Sequence, residues 1–185
     1  MSPQRYGAID VDYPETGGAR GALVLAGEPT FGTLLDERVT WLDEVAPYEP
    51  GAFYKRELPA VHALLDPLPP FDLLIVDGYV DLDPDGRPGL GAHVHDELGI
   101  PVIGVAKTAF HSATHAIPVR RGGAERPLFV TAAGVPRPDA AALVAAMAGA
   151  FRLPDALRRV DALARARATP SATQLHRQRP RPAVS

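Results

Sequence analysis

The chain has 185 residues and a mass of 19.6 kDa, with 46% hydrophobic and 22% charged side chains, which suits one globular domain with a sizeable core. The absence of cysteine excludes disulfides, thiolate metal sites, Fe–S clusters and thiol catalysis, so any metal must sit on oxygen or imidazole ligands. The formal charge of −3 is unlike the basic footprint of a nucleic-acid binder, and no apolar run or leader pattern points to a membrane or to export, so a cytoplasmic location is expected.

Arg5 to Tyr13 alternates small, apolar and polar residues and predicts a strand. Gly17-Gly18 predicts a turn, and Arg20 to Ala26 the second strand of a hairpin. Thr30 to Val45, rich in β-branched and aromatic residues, predicts a third strand with an extension. Pro50 suits a helix start, and the helical pattern runs to Leu65 before Pro67 to Pro70 stop it. Phe71 to Asp77 is a continuous apolar run between Pro and Gly, as in a strand buried on both faces. Leu90 to Leu98 predicts a short helix ended by Gly99, and Pro101 to Ala106 another buried strand. Ala116 to Arg121 and Arg126 to Thr131 flank Gly122-Gly123 as a second hairpin. Pro138 to Phe151 and Pro154 to Ala168 predict two Ala-rich helices, and the whole of 1–168 reads as one domain. From Thr169 the chain lacks apolar periodicity, so 169–185 reads as a disordered basic tail.

The charge is unevenly spread. Residues 150–185 hold eight arginines against Asp155 and Asp161, a net of +6, while 1–149 hold eleven basic against twenty acidic residues, a net of −9. Some of those acids stand where burial is costly. Asp10 lies within an apolar strand, Asp77 ends another, and Glu57 sits on the helix that follows Pro50. A carboxylate in such a place needs a compensating cation. Two acids from neighbouring strands and a third from a helix make a hard-oxygen site for Mg²⁺, or Mn²⁺ in its place, of the kind used in phosphodiester hydrolysis. Singly, each acid reads better as a strand-end turn residue or a helix surface charge, and Asp12 competes with Asp10 because strand alternation puts both on one face.

Longer motifs narrow the choice. Pro47-Tyr48-Glu49-Pro50-Gly51, followed by five residues and then Glu57, resembles the Pro-Tyr-Ile-Pro-Gly motif of the endonuclease V family. Ala8-Ile9-Asp10-Val11 is similar to that family's first catalytic strand, and Ile75-Val76-Asp77-Gly78 to its Asp-Gly-His-Gly segment. Gly89-Leu90-Gly91-Ala92-His93, and then Gly104-Val105-Ala106-Lys107, resemble its Gly-Leu-Ala-Ser-His and Gly-Val-Ala-Lys-Ser stretches. Phe151-Arg152-Leu153-Pro154, seven residues before Asp161, resembles its closing helix.

The resemblance implies an α/β, RNase H-like mixed sheet: a three-strand antiparallel meander plus parallel strands, flanked by helices. It implies a monomeric, Mg²⁺-dependent DNA-repair endonuclease that cuts the second phosphodiester 3′ to deoxyinosine in DNA, or to inosine in RNA. By position, Asp10, Glu57 and Asp77 would be catalytic metal ligands, with Asp161 as a fourth contributor. Lys107 would be catalytic, neutralising phosphate charge or orienting the nucleophilic water. Tyr48, with Pro47 and Pro50, would be the wedge beside an extruded base, and Gly51 and Gly78 would let backbone approach that base.

The chain departs from the family at several substrate-facing positions. Glu49 replaces an apolar wedge residue, Tyr79-Val80 replaces His-Gly, and Thr131 to Gly134 replace a Ser-Pro-Gly-His-like stretch. The sequence also starts almost at the first catalytic strand, without the family's preceding helical segment. The alternative expectation is therefore a catalytically weak or inactive relative that binds nucleic acid with altered recognition. His111 and His115 are spaced for a helical metal site, but Pro118 and the Ser-Ala-Thr run predict a loop there. A nucleotide-binding module of the doubly wound class lacks support, since no Gly-rich phosphate loop is present.

Overall fold

The structure is a computed structural model that describes residues 3–50, 52–66 and 68–166. The basic tail expected at 169–185 lies outside the described residues, as does Gly51. The described chain builds one seven-stranded mixed sheet between two helical layers. Strand β1 (Tyr6–Asp12), β2 (Ala19–Ala26) and β3 (Leu34–Leu42) form the antiparallel meander. Helix α1 (Tyr54–Leu65) leads to β4 (Leu73–Asp77), and α2 (Leu90–Leu98) to β5 (Val102–Ala106). Strands β6 (Ile117–Val119) and β7 (Leu128–Ala133) make the second hairpin, followed by α3 (Arg137–Ala146) and α4 (Asp155–Arg165). The strand order is β3-β2-β1-β4-β5-β7-β6, with β1, β4 and β5 parallel to one another at the centre.

Side-chain alternation divides the core into two. Ala8, Val24, Ile75, Ile103 and Val130 face α3 and α4, where they meet Val144, Ala156, Leu157 and Val160. Ile9, Leu23, Leu74, Val76 and Val102 face the other way and pack on Val61 and Leu64 of α1 and Val94 of α2. The middle strands are apolar on both faces because both faces are covered. Gly104 of β5 is there for space: a Cβ on it would lie 2.7 Å from the Gly78 carbonyl and the Val80 nitrogen and 2.8 Å from Thr131 Oγ1. That close approach lets Thr131 accept a 2.8 Å hydrogen bond from the Val80 N–H, satisfying a buried donor just beyond β4.

Element boundaries differ from the sequence expectation: β4 starts at Leu73, and the second hairpin is Ile117–Val119 and Leu128–Ala133 in place of 116–121 and 126–131. Helix α1 begins at Tyr54, and ahead of its regular bonding Ala52, Lys55 and Arg56 donate i to i−3 bonds to the carbonyls of Glu49, Ala52 and Phe53. Glu57 consequently sits in the first helical turn. Strand β3 is confined to Leu34–Leu42. Helix α3 stops at Ala146, and the following turn is held by Arg121, whose guanidinium donates to the carbonyls of Met147, Gly149 (3.1 Å) and Phe151 (2.9 Å). No helix among the described residues is long and apolar enough to cross a membrane.

Candidate active site

The site lies at the carboxyl edge of the three parallel strands. Asp10 follows Tyr6 and Ala8 on the α4 face of β1, and Asp77 follows Leu73 and Ile75 on the same face of β4. Ile9 is in register with Val76, so the two aspartates that come next lie side by side. Lys107 continues the Ile103, Val105 alternation just past the end of β5. Asp161 joins them from α4, whose Leu157 and Val160 seat the helix against that face. Oxygen atoms of Asp10, Asp77 and Asp161 lie within 4.8 Å of one another. The Lys107 ammonium donates to Asp77 Oδ2 at 2.6 Å and to Asp161 Oδ1 at 2.8 Å. Arg165 adds a further contact to Asp161 at 3.3 Å.

Glu57 reaches the same edge from the opposite layer, on α1, and is not among the three converging carboxylates. Its electrostatics still belong to the site. Burial, then the charges of Asp10 and Asp77, push its carboxyl up to about 8, against a smaller pull from Arg56. Burial, then Asp77, push Asp10 up to about 6, with Lys107 and the Val11 N–H acting the other way. Burial lowers Lys107, but its bonds to Asp161 and Asp77 outweigh that and leave it above its ordinary value. One lysine thus serves three carboxyl groups, with Glu57 a fourth within reach of Asp10 and Asp77, and two of the four resist ionisation. Such a hard-oxygen, under-neutralised cluster fits a divalent cation.

The other candidates occupy loops and strand ends. Tyr48 is 66% exposed on the loop between β3 and α1, with Pro47 and Pro50 also exposed. Glu49 beside it is paired with Lys55 at 2.8 Å, which offsets its charge. Gly78 has φ +120° and nothing within 4 Å of where a Cβ would stand, so the chain beyond Asp77 turns through a conformation open to glycine and leaves free space. Asp12 stays outside the cluster, at the end of β1. His111 and His115 lie in a loop and enter no metal-ligating group among the described residues.

Two residues visible in the sequence motifs, Tyr79 and Arg152, have organising roles that the motifs did not disclose. The Tyr79 hydroxyl, at the position of the family's His, donates to the Thr108 carbonyl at 2.7 Å and accepts from the Phe110 N–H at 3.0 Å, bracing the loop after Lys107. Arg152 donates to the carbonyls of Lys107, Arg126 and Pro127. The Phe-Arg-Leu-Pro motif around Arg152 was a signal, but its partners are 25 to 45 residues away.

The sequence profile of endonuclease V matches residues 2–173. The chain belongs to the endonuclease V family. An endonuclease V of Streptomyces coelicolor is 37% identical over 142 residues, spanning 65% of this chain and 60% of that protein, less than two thirds of its length. One of Streptomyces avermitilis is 34% identical over 87% of this chain and 79% of its own. A crystal structure of endonuclease V from S. avermitilis superposes with a TM-score of 0.73 at 30% identity, covering 87% of this chain and 79% of that one. The fold is also shared with Ciona intestinalis endonuclease V in complex with a 24mer DNA containing an inosine followed by a ribo-adenosine (TM-score 0.68, 19% identity, 88% and 84% covered). The mixed sheet is therefore RNase H-like, as expected, and the family is one of nucleases, which are phosphodiester hydrolases.

Proposed function

We propose that this chain is a divalent-metal-dependent endonuclease that hydrolyses the second phosphodiester 3′ to deoxyinosine in DNA, or to inosine in RNA. The observation that carries the reading is the convergence of Asp10, Asp77 and Asp161 on the Lys107 ammonium at one sheet edge. Asp10, Glu57 and Asp77 would hold Mg²⁺, or Mn²⁺ in its place, with Asp161 contributing from α4. A divalent ion held there supplies neutralisation of phosphate charge and a more acidic water. Lys107 keeps Asp77 and Asp161 oriented and presents a positive charge to a non-bridging phosphate oxygen. Tyr48, exposed between two prolines, offers a ring to replace the stacking lost when a base leaves the helix, and the open space at Gly78 suits backbone contact with that base. The inosine-containing DNA held by the Ciona relative supports this substrate class.

The test uses purified full-length chain with single- and double-stranded DNA, and with RNA, each carrying one inosine. Cleavage one nucleotide beyond the inosine, dependent on Mg²⁺ or Mn²⁺ and lost in Asp10→Asn and Asp77→Asn, is the expected result. Binding without cleavage of inosine, uracil, mismatch or unmodified single-stranded substrates would assign the chain to the nucleic-acid-binding alternative.

A further inference from the structure

A groove of about 710 Å³ opens beside the carboxylate cluster, between the β2–β3 edge of the sheet and the C-terminal end of α4. Trp41, Arg20, Arg165, Asp12 and Glu15 line it, with small side chains elsewhere. It adjoins the cluster: Arg165 contacts Asp161, and Asp12 is two residues beyond Asp10 on the same face of β1. Trp41 is the single tryptophan of the chain and is 46% exposed on the edge strand, although tryptophan is a residue that folding normally covers.

Its ring is nonetheless fixed. The indole Nε1 donates to Asp43 Oδ1 at 2.7 Å, and the ring rests against the Gly18 backbone so closely that a Cβ there would lie 2.4 Å from it. Arg20 is directly opposite Trp41 in the strand register and is tied through Nε to the Leu163 carbonyl at 2.9 Å. That partner is neutral, so the contact leaves the guanidinium charge in place. A held, exposed indole loses little freedom when a planar group lies on it.

We infer that this groove is a stacking subsite for an unpaired nucleotide flanking the cleaved bond, with Trp41 as the platform. The inference rests on the reading of this edge as the nucleic-acid-binding edge. The two guanidinium groups are matched in number by Asp12 and Glu15, so stacking outweighs charge in the recognition. Bases within a duplex have their faces covered by their neighbours; an unpaired base has a face to offer. The occupant is therefore a single strand, with Arg20 and Arg165 each able to meet one phosphate.

The single tryptophan makes the test direct. Full-length protein in EDTA is titrated with an inosine-free 12-nucleotide oligothymidylate, following Trp41 emission and, separately, anisotropy of the labelled oligonucleotide. Quenching that saturates with binding is expected, with none on a hairpin duplex of matched length. Trp41→Leu should weaken binding about tenfold, Trp41→Phe should retain most of it, and Arg20→Gln should flatten the log–log salt dependence by about 0.7. Saturable binding with unchanged wild-type emission, wild-type affinity in a folded Trp41→Leu, or no binding at all would overturn the inference. A chain that binds with quenching yet cuts no inosine substrate overturns the proposed activity alone, whereas cleavage without quenching overturns the subsite alone.

Discussion

Replacing Glu57 by Gln should make the metal-free protein more stable while removing its cleavage. The Glu57 carboxyl is pushed up to about 8 from an ordinary 4.5, by burial and by Asp10 and Asp77. At about 1.4 kcal/mol per pH unit, that gap sets an upper bound of about 5 kcal/mol on the cost of ionising it in the fold. Relaxation and water entry reduce the realised cost to about 2–3 kcal/mol, or about 5–10 °C in Tm for a domain of this size. The direction with pH follows from linkage. A carboxyl raised by folding costs nothing below 4.5, where it is protonated in both states. Its cost grows as pH rises towards 8, because only the unfolded chain has released the proton, and levels off above that. Thermal unfolding in EDTA, run in steps from pH 4 to 9, should show the variant's advantage absent at pH 4 and largest above pH 8. A variant no more stable than wild type at pH 8.5, or an advantage that does not change with pH, would refute the reasoning. Added Mg²⁺ should stabilise wild type and narrow the difference, since the ion binds the folded state.

Three further outcomes are expected. Lys107→Met leaves Asp77 and Asp161 without their shared ammonium; it should lower urea stability in EDTA by about 1–3 kcal/mol, and cleavage with Mg²⁺ by about 100-fold or more. Thr131→Val removes the acceptor of the buried Val80 N–H at nearly constant volume and should cost about 1–3 kcal/mol by the same denaturation assay. Arg121→Leu strips the donors from the carbonyls after α3, so hydrogen exchange there should accelerate and stability fall by about 3 kcal/mol, with an unchanged midpoint counting against this account.

Much of the fold was legible because strand period and length are local properties. The alternation of Tyr6, Ala8 and Asp10 marks one face of β1, and the apolar run ending at Asp77 marks a strand covered on both sides. The late start of α1 was not legible, since Pro50 suits a first helical turn as well as the turn it actually enters. Nor could Arg121 be picked out: its neighbourhood reads as hairpin, while its partners are carbonyls at least 24 residues away.

The candidate site divides along the same line. Residue type and placement pointed to Asp10, Glu57 and Asp77, and the resemblance to the family added Lys107 and Asp161. Period two tells which face a strand residue takes, but not which strand or helix meets that face. The sheet order set β1 beside β4, which brings Asp10 next to Asp77, and the packing of α4 brought Asp161 to Lys107. Glu57 arrives from α1 in the opposite layer, which separates it from the three converging carboxylates while leaving it within reach of their charge. Likewise Trp41 was an ordinary strand aromatic in sequence. Only the edge position of β3 and the end of α4 turned it into the wall of a groove, because exposure is a property of the assembled layers and not of any segment.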